Sequence, residues 1–202
     1  MTRLTLLLLI GALAQVPGWG QHQSGFTLEA EEDNIRVYVR PESNGEMSVR
    51  VATTARSNVQ AVLAVLDDAP NYPQWVHRCA EAYVVPGGTP LRYTYYSRLN
   101  LPFPLKDREV VAAIVQEIDG VSGVLSRHIT STPEAVPATK GCNREAVYEA
   151  DWIVRPLNED KVGIQCTVRT AAGSGLPNWL RREIMTGGPV KTLRNLVARL
   201  EL

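Results

Sequence analysis

The stretch Ile35-Arg36-Val37-Tyr38-Val39-Arg40-Pro41-Glu42-Ser43-Asn44-Gly45-Glu46-Met47-Ser48-Val49-Arg50-Val51 sets the character of the chain. Ile35, Val37 and Val39 alternate with Arg36, Tyr38 and Arg40, and Met47, Val49 and Val51 resume the alternation. A period of two puts the apolar side chains on one side of an extended strand, because successive Cβ atoms point to opposite faces. Asn44-Gly45 tolerates the positive φ of a tight turn. The segment reads as a β-hairpin with one buried face.

Downstream, Ser57 opens a helix, with Gln60 at capping-box spacing. Val59, Val62, Leu63 and Leu66 form one apolar stripe, and Pro70 and Pro73 end it. Asp67-Asp68 at the helix end reads as a solvated pair. Strands follow near residues 79–85, 91–99, 108–118, 121–130, 144–154 and 161–170, with Asp119-Gly120 as a two-residue hairpin turn. Residues 131–143 form a loop. Short connections favour an antiparallel meander. Pro177 suits a first helical position. Leu176, Leu180 and Ile184 make one stripe, and Val190, Leu193, Val197 and Leu200 a second, with Gly187-Gly188-Pro189 between them. A break there turns both stripes toward one sheet. The fold class is therefore α+β: a curved antiparallel β-sheet wrapped around a long C-terminal α-helix. Such a sheet cannot close on one helix without leaving an internal cavity.

Upstream, Met1-Thr2-Arg3 is a short basic start, Leu4 to Leu13 an apolar run, and Ala12-Leu13-Ala14 supplies small residues at a cleavage site. This is the layout of a cleaved secretory signal over residues 1–14, with cleavage possible as late as Gly20. The run falls short of the roughly 20 residues a spanning helix needs. A periplasmic or secreted location is expected. Residues 15–32 read as a flexible lead-in and 33–202 as one domain.

Lys and Arg balance Asp and Glu at 21 each. No basic block exists to neutralise phosphates, so nucleic-acid binding is excluded, and a monomer is expected. Three cysteines, Cys79, Cys142 and Cys166, leave at least one thiol without an intrachain partner, and their spacing matches no zinc pattern. No metal or cofactor is expected. His22, His77 and His128 are the histidines, and no Gly-x-Ser-x-Gly elbow accompanies them. Gly173-Ser174-Gly175 lacks the Lys and spacing of a phosphate loop. Nothing catalytic can be assembled.

Several segments, in order, resemble one family. Ile35–Arg40 is similar to its opening strand; Leu66-Asp67-Asp68 with Tyr72 and Trp75 to its "L-D…Y…W" segment. Leu101-Pro102-Phe103-Pro104-Leu105-Lys106-Asp107-Arg108-Glu109 resembles "P-x-P-x-x-x-R-D", with Glu109 where Asp is usual. Trp152-Ile153-Val154-Arg155-Pro156 resembles "W-x-I-x-P", and Gly175-Leu176-Pro177-Asn178-Trp179-Leu180 resembles "G-x-I-P-x-W-L". The family is the START (StAR-related lipid transfer) domain, and the chain looks like a bacterial-type secreted member. The lead-in replaces the family's first helix, and Ala171-Ala172-Gly173 stands where many members carry Asp-Pro-Gly.

The resemblance implies a helix-grip fold with a tunnel under the last helix, gated by the loop Leu101-Pro102-Phe103-Pro104. It implies binding, and transfer, of a lipid or other hydrophobic ligand, with transient membrane contact and no covalent chemistry. Alternation nominates Tyr93, Tyr95, Val111, Ala113, Val115 and Tyr148 as strand wall residues, with Leu180, Ile184 and Leu193 from the helix. Trp75, Trp152 and Trp179 are core candidates, Trp179 being the one expected to meet ligand. Arg108 is expected to hold the gate's hinge by pairing with Asp107, Glu109 or a strand carboxylate. Arg98, Glu117, Arg127 and Glu149 interrupt β patterns; most are expected on the outer face, with one or two as a cavity pair. Two alternatives stand: a cyclase- or dehydratase-type cavity enzyme using His128 or Tyr95, and an interaction module whose cavity is vestigial.

Overall fold

The computed structural model describes residues 25–43, 46–170 and 178–201 of the protein. The apolar leader, the start of the lead-in with His22, the Asn44-Gly45 turn and residues 171–177 lie outside the described residues. The strands are β1 (Thr27–Glu32), β2 (Ile35–Pro41), β3 (Met47–Arg56), β4 (Cys79–Thr89) and β5 (Arg92–Leu99), then β6 (Arg108–Ile118), β7 (Leu125–Ser131), β8 (Asn143–Arg144), β9 (Tyr148–Asn158) and β10 (Lys161–Thr170). The helices are α1 (Val59–Asp67), α2 (Asn178–Arg182) and α3 (Gly188–Leu200).

All ten strands form one sheet in the order β1-β2-β3-β10-β9-β7-β6-β5-β4, antiparallel along this path, with β8 added parallel to β6. The expected helix-grip architecture is present, with one change from a plain meander. The chain leaves β3 through α1 to the opposite edge at β4 and winds back, so that β10 pairs with β3. This joins the first hairpin to the last strand and leaves α3 packed against β2 and β3.

Local chemistry explains the other departures. Thr27–Glu32, expected within a flexible lead-in, is an edge strand paired with β2. Asp33 and Asn34 adopt φ of 49° and 64°, a left-handed turn that these two residue types tolerate best after glycine. The exposed Glu29, Glu31 and Glu32 guard this edge against further pairing. Helix α1 is capped one residue later than expected, since Asn58 Oδ1 accepts from the Ala61 N–H at 2.9 Å. The turn after β6 runs over residues 119–124 rather than two residues. Asp119 accepts from the Ser122 N–H at 2.7 Å, Gly123 takes φ of 67°, and Ile118 then faces Leu125. Between α2 and α3 the helix does not break but widens into a π turn over Glu183–Gly187, and Pro189 sits in the first turn of α3.

The core lies between the concave sheet face and the helices. Val37, Val62, Val154, Ile164 and Leu196 are fully enclosed there. Burial of side chains of this size stabilises by roughly 1.5–3 kcal/mol each.

Candidate ligand-binding cavity

Between the concave face and the C-terminal helical segment the core is not filled. A cavity of about 260 Å³ remains. Val49 and Val51 of β3 and Val168 of β10 form its floor, and Tyr95, Ser97 and Leu99 of β5 one side. Tyr148 and Trp152 of β9 stand opposite, with Ile184, Met185 and Leu193 as the roof. The strands supply these groups because inward residues recur every second position on a curved surface. Tyr72 links two aromatic groups of the wall, edge-on to Trp75 at 5.3 Å and to Tyr95 at 6.2 Å between ring centroids. Burial pushes the Tyr95 and Tyr148 phenols well above the ordinary value, so both remain neutral hydrogen-bonding groups.

One part of the wall is polar. Arg127 enters from β7 with only 1% of its side chain exposed. Its Nη1 donates to Asp67 Oδ1 at 2.6 Å and Gln116 Oε1 at 2.5 Å. Its Nη2 donates to the Leu66 carbonyl at 2.9 Å and the Tyr93 hydroxyl at 2.8 Å. Gln116 Nε2 and the Tyr93 hydroxyl both donate to Asp67, at 3.0 and 2.7 Å. A buried cation is thus neutralised by a carboxylate at the end of α1. Arg127 is thus one of the strand charges expected to face the cavity, but its partner is not another strand charge: it is Asp67, expected as a solvated group and still 35% exposed. Their pairing across 60 residues has no local sequence signal.

The mouth carries the second polar group. Arg108 and Glu145 both line the cavity and pair with each other through Arg108 Nη1 and Glu145 Oε1. Arg108 thus uses none of its expected partners, Asp107, Glu109 or a strand carboxylate, because Glu145 follows β8 outside any strand. Asp107 instead accepts from Arg98 Nη1 at 2.7 Å and from the Leu101 N–H at 3.1 Å, which holds the base of the 101–104 loop. Glu109, fully buried, accepts from Tyr96 Oη, Arg144 Nε and the Thr139 N–H, each at 3.1 Å. Across the mouth, His77 Nε2 meets Glu183 Oε1 at 3.0 Å, and Lys191 Nζ donates to the same oxygen at 2.7 Å. Burial and the nearby Lys191 charge hold His77 below the ordinary histidine range. A Cβ at Gly188 would lie 3.3 Å from His77 Cδ2, so glycine permits this close approach.

The nominated wall residues divide. Tyr95, Tyr148, Ile184 and Leu193 line the cavity, as does Leu101 of the loop. Tyr93 lies beside the wall with its hydroxyl in the Arg127 network. On β6 the face was inverted: Val110 lines the cavity, and Ala112 and Ile114 share its side within the core. Val111, Ala113 and Val115 are on the other side. Val111 is buried all the same, because the 132–142 loop crosses the back of β6, where the Thr132 N–H donates to the Val111 carbonyl at 2.8 Å. Ala113 is half-buried and Val115 is 40% exposed. Leu180 is fully buried but outside the wall, and Trp179, 60% exposed, does not reach the cavity. Trp75 and Trp152 do. Phe103 projects from the loop at 97% exposure. His128 is on the outer face, bonded to Asp151 Oδ1 at 2.6 Å and to Thr130 Oγ1 at 2.9 Å. All three cysteines are unpaired; Cys166 lies on the wall, and burial pushes the Cys79 thiol up to about 11.

No family model matches the chain. It is 26% identical over 175 residues to an uncharacterized protein of Pseudomonas aeruginosa, covering 86% of both chains. Among solved structures, a STAR-related lipid transfer protein from Xanthomonas axonopodis superposes with a TM-score of 0.78 at 24% identity, covering 88% of this chain and 99% of that one. Human StAR-related lipid transfer protein 5 gives a TM-score of 0.75 at 15% identity, over 90% of this chain and 88% of its own. The Zhui aromatase/cyclase of a Streptomyces species is more distant, with a TM-score of 0.52 at 13% identity over 77% of this chain and 94% of its own. A ten-stranded curved sheet, a helix laid across its concave face and a hollow between them identify the architecture: this chain has the helix-grip fold of the StAR-related lipid transfer domains.

Proposed function

We propose that the chain binds a lipid or similar apolar small molecule in this cavity and carries it between membranes without covalent chemistry. The observation that carries the reading is the cavity: a hollow of about 260 Å³ enclosed mainly by Val, Leu, Ile and aromatic side chains. An alkyl chain moved from water into such a site gains about 0.8 kcal/mol per methylene. Protein interiors are close-packed and hold few voids larger than a water, so a hollow of this size stands out from ordinary core packing. The 101–104 loop supplies the gate. Leu101 is buried against the cavity, and Phe103 two residues on projects into solvent as a group suited to the acyl boundary of a bilayer. The fold likeness to lipid transfer proteins supports the same reading.

The enzyme alternative loses the histidine it named, since His128 lies on the outer face; the histidine on the cavity wall, His77, is engaged with Glu183. Tyr95 remains on the wall, but burial keeps its phenol neutral and weakens it as a base. We further take residues 1–14 as an export signal. A secreted form beginning at Gln15 by mass spectrometry supports that, and a mature chain beginning at Met1 or Thr2 overturns it.

The test is native mass spectrometry of protein purified from its own host, followed by titration with fatty acids, phospholipids and sterols. A co-purifying amphipath, or saturable one-to-one binding from the panel, is expected. Empty protein that binds no member of the panel overturns the carrier reading.

A further inference from the structure

Four buried side-chain polar atoms among the described residues have no hydrogen-bond partner: Trp75 Nε1, Arg78 Nε, Arg127 Nε and Thr132 Oγ1. Such atoms are rare in folded proteins, and each calls for a physical reason. Three of the four belong to residues lining the one cavity described above. All three are N–H donors. Three donors left without acceptors on wall residues make that side of the cavity electropositive, which suits a ligand bearing oxygens.

The charges on the wall make the class more specific. Arg108 is matched by Glu145, Arg127 by Asp67, and Glu183 by His77 and Lys191. Arg78 has no ion pair among the described residues, yet it is half-buried on the cavity wall. It is the surplus cation. Its backbone is also held in the left-handed region at φ 62°, where a glycine would be at ease and a long side chain is not. The turn is fixed on both sides: the Arg78 carbonyl accepts from the Asn100 N–H at 2.9 Å, and the His77 N–H donates to Thr192 Oγ1 at 3.0 Å. The constraint therefore places Arg78 between the gate loop and α3. Trp75 stands three residues earlier on the same segment.

We propose that the ligand is an amphipath with an anionic oxygen head, a carboxylate or phosphate monoester. Arg78 receives the charge. This deepens the carrier reading and rests on it. A charge-assisted hydrogen bond in a water-poor site is about twice as strong as a neutral one, so the head group and not only the chain selects the cargo.

The test compares heads at constant chain length on the full-length protein by calorimetry: octanoate, octyl phosphate, octanol and octyltrimethylammonium, with acetate and inorganic phosphate as chainless controls. Octanoate or octyl phosphate should bind at least tenfold more tightly than octanol, and octyltrimethylammonium more weakly than either. Which of the two anions binds more tightly distinguishes a carboxylate head from a phosphate head. Arg78→Gly, which suits the left-handed backbone and so preserves the fold, should bring the anions down to the affinity of octanol and leave octanol unchanged. Equal binding of octanol and the anions overturns the inference, as does an Arg78→Gly protein that keeps the anion preference. Chainless anions that bind as tightly as the octyl compounds overturn the amphipath. Failure of all four octyl probes overturns the inference that the head group selects the cargo; failure of the fatty acid, phospholipid and sterol panel as well overturns the carrier reading, a result distinct from binding without charge preference.

Discussion

Replacing Asp67 by Asn isolates the charge in the buried Arg127 network. The side chain keeps its shape and one acceptor oxygen. What disappears is the only carboxylate among the described residues paired with a guanidinium that is 1% exposed, whereas Asp67 itself is 35% exposed and can be hydrated. The cost therefore falls on the arginine. Removing one partner of a buried pair costs about 3–5 kcal/mol. The lower end applies here, because Gln116 Oε1, the Leu66 carbonyl and the Tyr93 hydroxyl still accept from Arg127. We expect a loss of about 3 kcal/mol. For a domain of this size that lowers the melting midpoint by about 6–12 °C. Urea titration followed by fluorescence of the buried Trp75, together with calorimetry, measures it. An apolar double variant, Asp67→Leu with Arg127→Met, removes both charges and should recover to within about 1 kcal/mol of the parent. A single-variant loss below about 1 kcal/mol, or a double variant as unstable as the sum of the singles, refutes the reasoning.

Other outcomes follow from the geometry. Burial opposes ionisation of Glu109, but hydrogen bonds from Thr139 and Tyr96 and the Arg144 charge outweigh it and hold the carboxyl below its ordinary value. The folded state therefore favours the ionised form, and this stability is present above about pH 4.5 and lost as pH falls through the depressed folded value. Glu109→Gln should be less stable at pH 7 and show a shallower acid limb in melts between pH 7 and 3; parallel curves count against this. A methyl at Gly188 would sit 3.2 Å from the Glu183 carbonyl and 3.3 Å from His77 Cδ2. Gly188→Ala should therefore cost about 1 kcal/mol by overpacking and change ligand exchange rates more than equilibrium affinity in stopped-flow displacement; unaltered rates contradict it. Phe103→Asp alters a fully solvated side chain, so stability should hold within about 0.5 kcal/mol while flotation with phospholipid vesicles falls severalfold. Undiminished flotation removes the loop from membrane contact.

The strands were legible wherever one face alone is buried. On β2 the alternation of Ile35 and Val37 with Arg36 and Tyr38 matches the burial residue by residue. On β6 the same rule failed, because Val110, Val111 and Ala112 are all buried and no alternation survives to be read. The loop crossing behind the strand covers Val111, and that loop is remote in sequence. Strand β1 was missed for the opposite reason: its Glu-rich edge has little apolar pattern, although Asp33-Asn34 carried the turn signal.

The sequence by itself determined the order of the elements apart from β1 and β8, the curved sheet with a helix across it, and the loop beginning at Leu101, since these rest on local periodicity, turn chemistry and ordered motifs. Only the tertiary structure decided which faces enclose the hollow and which charges cancel. Arg127 meets Asp67, and Arg108 meets Glu145, across long stretches of chain, while Arg78 meets no carboxylate among the described residues. The physical reason is that charge neutralisation in a cavity depends on distances between strands and helices, and a linear sequence does not contain those distances.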